Sequence, residues 1–64
     1  MSVVILEDVI TTGGSSLRAI EVTEKEGYNV KGIVAILDRL EGGKEAIESK
    51  GYLFRSIFTL KDLR

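Results

Sequence analysis

Two short apolar runs constrain what this chain can build. Val3-Val4-Ile5-Leu6 and Ile33-Val34-Ala35-Ile36-Leu37 are rich in β-branched residues and carry no polar alternation. A strand with one wet face alternates apolar and polar residues, whereas a strand covered on both faces, as in parallel sheets, does not. Each run stops at a charged pair, Glu7-Asp8 and Asp38-Arg39. Between them, residues 16–26 have helical spacing. Leu17, Ile20 and Thr23 fall on one side, and Arg18, Glu21 and Lys25 on the other, with Glu21 and Lys25 as an i,i+4 pair. Val22 lies off this thin stripe, so the helix needs neighbours on more than one side. Ser15 or Ser16 can cap its start, and Gly27 supplies a stop.

The same alternation continues. Gly42-Gly43 opens a short helix over residues 44–50, closed by Gly51. Residues 52–58 read as a third strand, where Arg55 and Ser56 mark an edge. Thr59-Leu60-Lys61-Asp62 resembles a capping box with Asp in place of Glu or Gln. The order is β-α-β-α-β, plus the start of a last helix, an α/β parallel sheet with right-handed crossovers. No repeat or linker divides it, so residues 1–64 form one domain at most.

Composition limits the chemistry. The 64 residues include no His, Cys, Pro or Trp. Disulfides, thiolate nucleophiles, Ser-His-Asp triads and Cys- or His-ligated metals are thereby excluded. A chain of this size buries only about 60% of its unfolded surface and is marginal alone. Nine basic residues against ten acidic ones give a net charge of −1, which argues against general affinity for nucleic acid or anionic membrane. The longest apolar run, residues 33–37, is far short of a membrane span. The first apolar run is too short, and lacks the basic flank, for a signal peptide. The expectation is a soluble cytoplasmic α/β piece.

The chemistry-bearing segment follows the first strand: Glu7-Asp8-Val9-Ile10-Thr11-Thr12-Gly13-Gly14-Ser15. Ligands of open α/β sheets sit at the carboxyl ends of the strands. The loop over residues 11–15 offers successive backbone N–H groups, hydroxyls and the positive end of a helix dipole, a cradle sized for phosphate. Gly13 and Gly14 allow the backbone close to the anion. The two upstream carboxylates can accept hydrogen bonds from a vicinal diol, or hold a divalent cation through water. Phosphate on one side and diol on the other describe a ribose 5-phosphate. A Gly-Gly turn after threonines also serves as an ordinary strand-to-helix connection, and acids at a strand end can simply be solvated. No Walker A loop or G-x-G-x-x-G is present.

The string over residues 3–15 resembles the phosphoribosyl pyrophosphate (PRPP) signature of type I phosphoribosyltransferases. Ile36-Leu37-Asp38-Arg39-Leu40-Glu41-Gly42-Gly43 is similar to the L-D-R-x-x-G-G stretch of orotate phosphoribosyltransferases. Residues 52–60 resemble their C-terminal strand and entry to the last helix. The resemblance implies the C-terminal half of such a domain, with a partial, Rossmann-like phosphoribosyltransferase fold. It implies that Glu7 and Asp8 bind the ribose hydroxyls as the catalytic pair, Asp8 nearest the reacting sugar. Glu7, Asp8, Val9, Ile10, Thr11, Thr12, Gly13, Gly14 and Ser15 would form the PRPP site, with residues 11–15 around the 5-phosphate. Thr11 and Arg39 would contact orotate. Mg²⁺ would arrive through PRPP, with no direct protein ligand. The implied reaction joins orotate to PRPP, giving orotidine 5-monophosphate and pyrophosphate in pyrimidine biosynthesis.

Arg39 could instead be a surface arginine paired with Asp38 or Glu41. Lys44 and Arg55 read as solvent-facing charges, and Tyr52, Phe54 and Phe58 as packing residues. The family's hood, pyrophosphate-binding turn and mobile basic loop are not found in these residues. The expectation is therefore a chain inactive in isolation, forming homo-oligomers through its uncovered apolar edge. The alternatives are a non-catalytic ribose-phosphate-binding module and a purely structural, self-associating fragment.

Overall fold

The computed structural model describes residues 1–63. The expected β-α-β-α-β order is present: β1 (Ser2–Ile10), α1 (Gly14–Lys25), β2 (Asn29–Asp38), α2 (Gly43–Ser49) and β3 (Leu53–Thr59). A 3-10 turn, Leu60–Leu63, follows. Arg64, at the end of the expected domain, lies outside the described residues.

The three strands form one parallel sheet in the order β1-β2-β3. The central strand, β2, carries the long uninterrupted apolar run. Pairing of Ile5 with Ile33, and of Ile33 with Phe54, sets the register. Ile20 of α1 and Ile47 of α2 pack into one core with Ile10, Val30, Ile33, Ala35 and Phe54. Both helices therefore lie on the same face of the sheet. Two successive crossovers of one hand, each to the next strand along, leave them no other side.

Four expectations are corrected. The first strand does not stop at Glu7-Asp8. Its ladder continues through Glu7–Ala35, Val9–Leu37 and Ile10–Asp38, so partner hydrogen bonds hold the acids in extended form. The strands are not covered on both faces. Val4 (53% exposed), Leu6 (79%), Ile36 (51%), Leu53 (65%) and Ile57 (62%) stand on the bare face. No serine side chain caps α1. Its N-cap is Gly13, at φ 92°, with no side-chain cap bond, and Ser16 is buried. The Glu21–Lys25 ion pair is not formed. An exposed i,i+4 pair on a helix gains too little to fix both side chains; among the described residues the ion pair is Arg39–Glu41.

Other local features follow the sequence. Ile20 is buried and Leu17 packs against the core, while Val22 is 56% exposed. The Thr23 hydroxyl donates to the Ala19 carbonyl at 2.7 Å, so a polar group on the inner side of α1 is satisfied within the helix. Asp62 Oδ2 accepts from the Thr59 N–H at 2.8 Å. That is the reciprocal half of a capping box, with the shorter Asp in the acid position.

Candidate functional site

The carboxyl ends of β1 and β2 lie side by side, and their following loops meet. The Arg39 N–H donates to the Ile10 carbonyl at 2.9 Å, and the Gly43 N–H donates to the Thr11 carbonyl at 3.0 Å. These two bonds bring the β1–α1 loop, with Thr11 and Thr12 exposed, against the loop that carries Arg39.

The cradle is built by an uncapped helix start. At Gly13 the backbone turns left-handed, which a residue without Cβ adopts at no steric cost. The first bond of α1 runs from the Leu17 N–H to the Gly13 carbonyl at 2.9 Å. The preceding first-turn N–H groups have no helical acceptor. No side chain caps them and no acidic residue lies in the first turn, so the positive end of a 12-residue helix is left for an outside anion. An open concavity of about 360 Å³ lies there, lined by Gly14, Ser15 and Arg18.

Arg18 lines this concavity, a placement that the sequence pattern misses. Helical periodicity assigns it to the solvent side of α1. The same periodicity carries the missed signal, since a residue one turn beyond Gly14 shares its edge of the helix. An exposed cation near a helix N-terminus opposes the dipole, and its charge suits an anion bound at that end.

The acidic pair is less convergent than adjacency in sequence suggests. Glu7 is half-buried and Asp8 exposed. As successive residues of a regular strand they project to opposite sides of the sheet. Val9 is 46% exposed, whereas the Ile10 side chain is in the core and its carbonyl is bonded to Arg39. Ile10 thus anchors the loop rather than lining it.

Arg39 is exposed and its Nε lies 3.2 Å from Glu41 Oε2, with both side chains about half exposed (52% and 43%). Such a pair is weak and exchangeable. Asp38 does not pair with Arg39. It is 2% exposed, and its Oδ1 accepts from the Leu40 N–H at 2.9 Å. This bond holds the turn in which Leu40 has φ 60°. The carboxylate that could have neutralised Arg39 is spent on loop geometry.

Among the described residues, no three Asp, Glu, His or Cys side chains gather around one point. The available oxygen donors are Glu7 and Asp8. Among the described residues, no helix is long and apolar enough to cross a membrane.

No family model matches the chain. Curated relatives do. The orotate phosphoribosyltransferase of Sorangium cellulosum is 53% identical over 62 residues, covering 97% of this chain and 32% of the relative. That of Methanopyrus kandleri is 47% identical over 62 residues, covering 97% of this chain and 34% of the relative. The chain spans about a third of the length of the curated relatives it matches. Among solved structures, Mycobacterium tuberculosis orotate phosphoribosyltransferase in complex with PRPP superposes with a TM-score of 0.93 at 40% identity, over 98% of this chain and 38% of that one. The Aeropyrum pernix enzyme superposes with a TM-score of 0.89 at 39% identity, over 95% and 37%. In sequence and in fold, this chain is similar to one segment of orotate phosphoribosyltransferases, about a third of their length.

Proposed function

We propose that this chain holds the ribose 5-phosphate end of PRPP and serves as the PRPP-binding, C-terminal part of an enzyme that transfers the phosphoribosyl group to orotate. The observation that carries this reading is the uncapped, glycine-started N-terminus of α1 at the end of β1, in a chain whose relative was solved with PRPP. Backbone N–H groups of Gly14, Ser15 and Ser16, with the Thr11 and Thr12 hydroxyls, take the 5-phosphate. Arg18 adds a cation at the open side. Asp8, exposed beside the loop, accepts from the ribose hydroxyls, and Glu7 contributes from the strand's other side.

In the transfer, a ring nitrogen of orotate forms a bond to the sugar's anomeric carbon as the bond to pyrophosphate breaks. The sugar passes through a loose, cationic state, so positioning and charge stabilisation outweigh proton transfer. The Arg39 fork suits the orotate carboxylate or a ring carbonyl. Taking it requires only exchange of the exposed Glu41 for substrate. Asp8 and Glu7 are the carboxylates that would hold Mg²⁺ through water, and the ion would supply neutralisation of the charge on the departing pyrophosphate.

Calorimetry with ribose 5-phosphate tests the cradle. We expect heat above buffer for the wild type and reduced affinity for Asp8→Ala; no heat for folded wild-type protein sinks the proposal. The isolated chain should give no orotidine 5-monophosphate from PRPP, orotate and Mg²⁺, and steady turnover would refute that. A self-associating piece is the second reading, favoured by the bare apolar face of the sheet.

A further inference from the structure

We propose that Gly43 is a positioning residue for the phosphate cradle, because its missing side chain lets the Arg39 loop and the phosphate loop lock together as one rigid unit. The inference deepens the PRPP reading and rests on it. Gly43 is buried at the first position of α2, and its φ lies outside the left-handed region. Nothing in its backbone conformation demands glycine. What demands it is space. A Cβ at Gly43 would run into Ile10 Cγ2, stand 2.7 Å from the Thr11 carbonyl oxygen and 3.3 Å from the Gly13 nitrogen. The Thr11 carbonyl is the same atom that accepts the Gly43 N–H.

The contact is reciprocal. A Cβ at Gly13 would stand 3.2 Å from both Cα and the carbonyl oxygen of Gly43, and 3.4 Å from Ala46 Cβ. Two glycines from different loops therefore touch backbone to backbone. With the Arg39–Ile10 hydrogen bond, this contact fixes the start of the cradle against the turn that presents Arg39. The separation between phosphate site and base site is then set by covalent geometry and close packing, not by flexible side chains. A transfer reaction bridged by one ribose needs that separation constant, because small misplacement of reactants costs rate steeply.

Substitution of Gly43 should move the cradle without touching the ligand. In Gly43→Ala, amide resonances of residues 11–15 should shift in the ligand-free chain, and affinity for ribose 5-phosphate should fall on the order of tenfold. Gly51→Ala is the control: its φ is +90° with open space around it, so it strains the backbone at the far end of α2. It should lower stability, leave the cradle resonances in place and keep affinity within about twofold of wild type, as expected for independent sites. Unmoved cradle amides and unchanged affinity in folded Gly43→Ala overturn the proposal. If that variant does not fold, amide exchange of the wild type decides. Saturating ribose 5-phosphate should slow exchange at Gly43, and an unchanged rate there, with Gly14 and Ser15 responding, overturns it equally. If wild-type protein binds no ribose 5-phosphate, the PRPP reading fails, and the ligand-free shifts still decide whether Gly43 positions the loop.

Discussion

Gly13 does three things that a larger residue cannot do together. It turns left-handed, starts α1 without occupying the free N–H groups, and lies against Gly43. Gly13→Ala should cost about 1–2 kcal/mol from the left-handed backbone, with further loss from the crowding at Gly43. Thermal denaturation reads the stability loss, and calorimetry should show ribose 5-phosphate binding weakened beyond it. Arg18→Ala should leave the melting temperature nearly unchanged and weaken ribose 5-phosphate binding several-fold at low salt, an effect that shrinks as salt screens the pair. At this scale the sequence was informative about residue type and silent about partners. The string from Thr11 to Ser15 offers the residue types of an anion loop, though such a string also serves as a plain strand-to-helix connection. That Ser16 is buried rather than a cap, and that Arg18 edges the cradle, depends on where the helix begins, and the choice of Gly13 over a serine is made by the packing beside it.

Among the elements, α1 is held twice. Ile20 anchors it in the core, and the Tyr52 hydroxyl, just before β3, donates to Glu24 Oε1 at 2.9 Å. That hydrogen bond, with desolvation and the Glu24 charge behind it, raises the Tyr52 phenol above its ordinary 10.0. The folded state favours the protonated phenol, so this contribution is intact below 10.0 and is lost as pH rises through the raised value. Ultraviolet titration of Tyr28→Phe protein should place Tyr52 above 10.0, and Glu24→Gln should bring it down. The short helix α2 depends on one side chain, Ile47, which is fully buried. Ile47→Ala should cost about 2–5 kcal/mol, comparable with all that a core of this size supplies. Loss of a cooperative unfolding transition would be the readout. The order and type of these elements were legible from periodicity and glycine placement. The end of β1 was not, because the acids at 7 and 8 are held in the strand by pairing with β2, a long-range term absent from local pattern.

The whole molecule exposes 4494 Å², against about 4,000 Å² for a folded chain of this mass. The excess accompanies a sheet with helices on one face only. Val4, Leu6, Ile36, Leu53 and Ile57 form an apolar surface of the kind that drives association, and β1 and β3 are both open edges. Sedimentation velocity should show a mass that rises with protein concentration. Leu6→Lys with Ile57→Lys should hold the chain monomeric without touching the core, since both positions are more than 60% exposed. A wild type that stays monomeric at all concentrations would contradict this.

By itself, the sequence determined the succession of elements and the parallel sheet, because β-branched runs, helical spacing and glycine breaks act over a few residues. It also carried enough family-specific pattern, in residues 3–15 and 36–43, to point at the orotate phosphoribosyltransferases. Only the tertiary structure decided which face of the sheet is covered, where β1 ends and how the two loops lock through Gly13 and Gly43. Those features arise from contacts between residues about 30 apart in the chain, where steric fit and shared hydrogen bonds, rather than local propensity, set the outcome.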